Sequence, residues 1–296
     1  MLAIDIIVYA VVTGLIALSI MWIMNFLGVD VWDSVTSDDQ GLSRPYHSTL
    51  TQFLPLLIAS VITTYLHNRL FNRPYATAGF TKTQVLAGIT KGWLGASALL
   101  TIGFLILLAF GFVQVERIDW NISMFAGFIL LFMVQSAFEE VFGRSYLIPA
   151  IEQRFNPWVA LIISSLIFSI LHGMNPDISL LSLFNIFMAG VLLGLLFIIY
   201  RQIWLPLGLH AGWNFMQGSF FGFEVSGFDT YSLLDSSETG PDWLTGGAFG
   251  FEGSVLCALF LTVVSVYLIM KNPESFLTSI DNTDSSQENE SLENID

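Results

Sequence analysis

The stretch ISMFAGFILLFMVQSAFEEVFGRSYL, residues 122–147, decides the fold. Between Phe125 and Phe138 only Gln135 and Ser136 are polar, and a helix needs about 20 mainly apolar residues to cross the hydrocarbon core of a bilayer. The apolar residues form a block and do not alternate as in a half-buried strand. Similar blocks lie near residues 4–28, 49–67, 92–113, 158–173, 180–200, 203–222 and 250–270. The whole chain of 296 residues is 54% apolar and 11% charged, against roughly 25% charged in a soluble domain. The expected fold is therefore all-α, a polytopic membrane helical bundle of about eight transmembrane helices.

Charge distribution sets the orientation and removes one class of partner. With 10 Lys plus Arg against 24 Asp plus Glu, the chain lacks the basic stripe that phosphate binding needs, so nucleic acid is not an expected partner. Basic residues are retained on the cytoplasmic side of short loops. With both termini cytoplasmic, Arg69, Arg73, Lys82, Lys91, Arg144, Arg154, Arg201 and Lys271 fall on or toward that side, and only Arg44 and Arg117 fall outside. The acidic loops 29–48, with Asp30, Asp33, Asp38 and Asp39, and 223–249, with Glu224, Asp229, Asp235, Glu238 and Asp242, are then external. The first Lys or Arg is Arg44, so the first apolar run is expected to stay as a span and not to be cleaved as a signal. Residues 1–271 read as one transmembrane domain, and 272–296 as an acidic, disordered tail. Cys257 is the single cysteine, which excludes an internal disulfide and assigns it to packing.

An ionisable side chain inside hydrocarbon requires a partner and points by default to function. Three places carry such groups: Glu139-Glu140-Val141-Phe142-Gly143-Arg144, Phe168-Ser169-Ile170-Leu171-His172, and His210-Ala211-Gly212-Trp213-Asn214. Glu140 and Arg144 are four apart and can pair on one helix face, while Glu139 is turned by about 100° and free to point elsewhere. His210 and Asn214 share a face in the same way. A turn at Arg154-Phe155-Asn156-Pro157 joins the fourth and fifth runs, with Glu139 16 to 17 residues before its midpoint and His172 16 to 17 after it. In an antiparallel pair both lie at one depth, about 25 Å along the helix from the turn, where they can share one water. Pro149 can kink the fourth helix, and Pro206 falls in the first turns of the seventh, where proline is tolerated.

A Glu and a His around one water can serve as general base and proton relay, and a second His with an Asn can stabilise a carbonyl oxyanion. That set suits amide hydrolysis by activated water. No G-x-S-x-G elbow is present, and Cys257 has no activating partner in view. The same residues Glu139, His172 and His210 could instead ligate a metal, zinc by donor type, with a position open for water, although no H-E-x-x-H helix is present. Spacing leaves both routes open.

E-E-x-x-x-R, F-x-x-x-H and H-x-x-x-N, in this order on separate spans, resemble the CPBP family of intramembrane proteases, which includes the CAAX prenyl proteases of the Ras-converting type. Phe184-Asn185-Ile186-Phe187, Gly190, Gly194 and Trp204-Leu205-Pro206 agree, and the similarity covers about residues 120–220. The resemblance implies that Glu139 and His172 activate water, that His210 and Asn214 stabilise the oxyanion, and that Glu140 and Arg144 support the first motif. It implies a peptide or protein substrate, prenylated or membrane-anchored, in a multi-pass protein of a prokaryotic plasma membrane with its cavity open to the cytoplasm. It leaves metal-dependent and glutamate-dependent catalysis both open. Gly143 and Ser145 depart from the residues many relatives carry around the motif arginine.

Each feature also has a plainer reading. Glu140 with Arg144 reads equally as a snorkelling ion pair, and a lone membrane His as an interhelical hydrogen bonder. Phe168 is read as packing that orients His172, and His67 and His47 as interfacial. Asn185, Gln135 and Ser136 are read as helix glue, and Gly190-x-x-x-Gly194 as close packing inside the bundle. Two other functions compete with proteolysis: a non-catalytic bacteriocin-immunity or scaffold protein, and a proton-coupled transporter, for which no inverted repeat is visible.

Overall fold

A computed structural model describes residues 2–31 and 44–276. Asp33, Asp38, Asp39 and the tail beyond Phe276 lie outside the described residues. In chain order the helices are α1 (Leu2–Phe26), α2 (Pro45–Leu70), α3 (Val85–Ala109), α4 (Ile122–Glu152), α5 (Pro157–Leu171), α6 (Leu180–Tyr200), α7 (Trp204–Asn214) and α8 (Val255–Lys271). Five of them, α1, α2, α3, α4 and α6, are long and apolar enough to cross a membrane, and α5 and α8 are shorter apolar helices. Large apolar side chains such as Ile7, Val11, Leu18 and Trp22 on α1 are exposed. In water such a surface would aggregate, but against lipid it needs no cover. The protein is an integral, multi-pass membrane protein.

The structure departs from the sequence reading in two places. Helix α3 begins at Val85 and ends at Ala109, so Lys91 lies inside it and Val113 does not. Val113–Ile118 instead forms strand β1, antiparallel to β2 (Leu234–Glu238), with Val113 opposite Glu238 and Ile118 opposite Leu234. The all-α expectation omitted this ribbon because each strand is short and finds its partner some 120 residues away. Burial pushes the carboxyl of Glu238 above its usual range, although Oε2 accepts the Gly247 N–H at 3.0 Å.

Helix starts follow the capping rules. Asn156 accepts from Val159 N–H at 3.0 Å ahead of Pro157, and Ser179 and Ser254 cap α6 and α8 in the same way. Pro55 and Pro149 each follow a π-helical segment, Thr49–Phe53 and Val141–Leu147. A proline leaves the carbonyl four residues earlier without its donor, and a widened turn relieves the clash. His67, expected at an interface, is buried edge-on to Tyr146 at 4.9 Å, because Tyr146 in the π segment of α4 packs over that end of α2.

Small residues bring the helices that carry the polar groups close together. Gly190 on α6 rides against Ser165 of α5, where a Cβ would come within 3.0 Å of the Ser165 Cα, and Gly194 meets Leu161. On the α3–α7 face, Gly92 abuts the Leu205 carbonyl and Gly208 the Ile89 carbonyl. Gly208→Val should wedge α3 and α7 apart at a cost of about 1–3 kcal/mol. A lower unfolding temperature of the detergent-purified protein is the expected result, and an unchanged temperature would refute this packing.

Candidate active site

The site is built on one buried ion pair. Arg144 lies in the π segment of α4, one turn beyond Glu140, and its Nη1 donates to Glu140 Oε1 at 2.9 Å. Glu140 is fully buried and Arg144 is 2% exposed. Arg144 Nη2 reaches the Gly190 carbonyl at 3.3 Å, and its guanidinium lies 4.8 Å from the centre of the Phe168 ring. The missing side chain of Gly190 thus serves twice, admitting α5 and leaving a carbonyl open to the arginine.

Glu140 has a second partner that spacing along α4 could not indicate. His210 Nδ1 donates to the same Oε1 at 2.9 Å from α7, seventy residues on. This fixes the imidazole with Nε2 toward Glu139, whose Oε2 lies 3.7 Å away. His172, the C-cap of α5, bonds the Phe168 carbonyl through Nδ1 at 2.8 Å. A carbonyl only accepts, so that nitrogen carries the proton and Nε2 is the basic one. His172 Nε2 is 3.9 Å from Glu139 Oε2. Phe168 therefore orients His172 through its backbone, lies tilted against its ring at 4.6 Å, and meets His210 edge-on at 5.9 Å.

Glu139 Oε1 is 3.4 Å from Gln135 Nε2, while Oε2 is buried without a hydrogen-bond partner. The separations from the two Nε2 atoms are too long for direct hydrogen bonds and short enough for one water to bridge. All of Glu139, His172, His210 and Asn214 line one cavity of about 390 Å³; Glu140 and Arg144 stand behind its wall. Zinc takes nitrogen and carboxylate donors at about 2.0–2.2 Å. Among the described residues no group of three His, Cys, Asp or Glu side chains is placed as a metal site.

The cavity sits at an end the basic residues did not predict. Its lining includes His172 and Asn175 beyond α5, Asn185 near the start of α6, Ser226 and Thr230 after α7, and Cys257 at the start of α8. Arg69, Arg154, Arg201 and Lys271 lie at the opposite ends of the same helices. These lining residues lie toward the ends of the helices away from those basic residues. The reason is length: α5 spends its whole run between the Asn156 cap and His172. The loop 223–249, read as external, supplies part of the wall through Val225, Ser226, Phe228 and Thr230, with Phe223 and Phe249 buried.

Sequence reasoning missed Glu252 and underrated Asn185. Glu252 lines the cavity, and its Oε2 accepts from the Ser226 N–H at 3.1 Å and hydroxyl at 2.7 Å. Asn185 Nδ2 donates to the carbonyls of Glu252 at 2.7 Å and Ser254 at 2.8 Å. An acidic residue at the head of the last apolar run was the only available signal.

Residues 119–216 match the Rce1-like family of type II CAAX prenyl endopeptidases. The match takes in about a third of the chain and all six motif residues, and it is the family the motifs resemble. Together with the apolar helices it marks a transmembrane protease. No curated protein matches the chain.

Arg144→Ala strands a buried carboxylate and should destabilise the fold by about 3–5 kcal/mol, whereas Arg144→Met combined with Glu140→Gln should lose clearly less. Unfolding of the purified variants in one detergent compares them; equal losses would mean the pair is not what holds this region.

Proposed function

We propose that the chain is an intramembrane endopeptidase in which Glu139 and His172 activate a water and His210 with Asn214 stabilise the oxyanion. The observation that carries this reading is the unpartnered Glu139 Oε2, buried between two imidazole Nε2 atoms at 3.7 and 3.9 Å in a cavity with largely apolar walls. A water held by Glu139 and His172 gives up its proton as it attacks the peptide carbonyl, and the pair returns the proton to the leaving amine. A protonated His210 has Glu140 at one nitrogen and offers its Nε2–H to the developing oxyanion. Asn214, one turn further along α7, adds an amide donor. Walls such as Phe132, Leu192 and Leu261 would accept an apolar chain, which favours prenylated or membrane-anchored substrates.

Glu139→Gln should abolish cleavage of a reconstituted peptide substrate while leaving the unfolding temperature within a few degrees of wild type. Asn214→Ala should lower kcat by about 10²–10³, and His172→Ala should be at least as severe. Full activity of the Glu139 variant would end this reading.

We further infer eight spans in one domain through Lys271, with both termini cytoplasmic, from the excess of basic residues at one end. The cavity then lies in the outer half of the bilayer, reached laterally or from outside. In a Cys257→Ala background, a cysteine at Arg154 should react with an impermeant maleimide only in inverted vesicles, and one at Arg117 only in intact cells. The reverse pattern would turn the bundle over and place the cavity on the cytoplasmic side.

A further inference from the structure

The lining of the cavity is rich in hydrogen-bond acceptors. Among the described residues that line the cavity there is no Lys or Arg. Arg144, just behind the wall, is occupied by Glu140 and the Gly190 carbonyl. Glu252 brings a second carboxylate into the cavity that Glu139 lines; it is 8% exposed, and both of its side-chain hydrogen bonds fall on Oε2, leaving Oε1 for whatever enters. Asn185 gives an independent sign. Its Nδ2 already donates to two carbonyls, which fixes the orientation of the amide, and its Oδ1 is buried with no donor. A buried acceptor without a donor is costly, and here it stands in a lining shared with the Glu252 carboxylate. A group rich in N–H donors and positively charged would satisfy both.

We propose that Glu252 and Asn185 form a subsite for a cationic group of the substrate peptide, a Lys or Arg side chain or a free amino terminus. This rests on the endopeptidase reading and names the substrate class it takes. In low-dielectric surroundings the Glu252 carboxylate attracts such a group. Ser226 holds Glu252 in place from the loop after α7, so the subsite forms only when that loop is folded into the bundle. Glu252 is a specificity-determining residue here and takes no part in moving the catalytic proton.

The test uses the full-length protein in nanodiscs and fluorescent hexapeptides of otherwise apolar sequence. The peptides carry Lys or Nε-acetyl-lysine at one internal position, each with a free or acetylated amino terminus. Binding is measured on the Glu139→Gln protein, so that the result does not depend on turnover, and cleavage is measured on the wild type. The expected result is at least tenfold tighter binding, and a matching ratio in kcat/KM, for peptides with a positive charge over the doubly acetylated one. The Lys and amino-terminal arms tell which cation is taken. Glu252→Gln, which keeps the shape and can still accept from Ser226, should bring the ratio to within twofold. Ratios near one for the unmodified subsite, or a preference that survives Glu252→Gln, would overturn the proposal even if peptides are cleaved. Charge-selective binding without any cleavage would uphold it and reject the endopeptidase reading instead.

Discussion

Arg144 and Glu140 bind the bundle together because neither can stay charged in hydrocarbon alone. Taking both ions out of water costs several kcal/mol each, and only close geometry with further hydrogen bonds recovers it. The protein meets that demand with partners from three other helices: the Gly190 carbonyl of α6, the Phe168 ring of α5 and His210 of α7. Four helices are therefore held in register by one desolvated pair. Helix packing in lipid has no hydrophobic force of its own to do this.

The division of labour between the adjacent glutamates follows from that arrangement. Glu140 is consumed by structure, since one oxygen accepts from both Arg144 and His210. Each carboxylate keeps one oxygen without a hydrogen-bond partner, and Glu139, one residue earlier, is the one that lines the cavity. The π segment Val141–Leu147, set by Pro149, lies between these carboxylates and the turn into α5. Its wider turn carries Arg144 while Tyr146 stacks on Tyr9 of α1 at 3.6 Å. The π segment thus ties the site to α1.

The loop after α7 belongs to the same construction. Phe223, Phe249 and Phe251 are buried in the bundle, and the Gln217 amide donates to the Glu224 carbonyl at 2.7 Å. Glu252 and Asn185 then join this loop to α6 and α8. An acidic segment that composition assigns to the exterior becomes part of a cavity wall because its aromatic residues are worth more inside than out.

Apolar block length and four-residue spacing were enough to read the helices, the Glu140–Arg144 pair and the candidate residues of α4, α5 and α7, since these depend on contacts within one helix or across one hairpin. The same local rules predicted the Asn156-Pro157 start of α5 and the close packing at Gly190. Folding alone decided that His210 answers to Glu140, that Glu252 reaches the cavity, that a ribbon joins residues 113–118 to 234–238, and which end of the bundle holds the cavity. Each of these joins residues far apart in the chain, or turns on where a helix stops. Hydropathy is blind to both, because it averages over a window shorter than the distances involved.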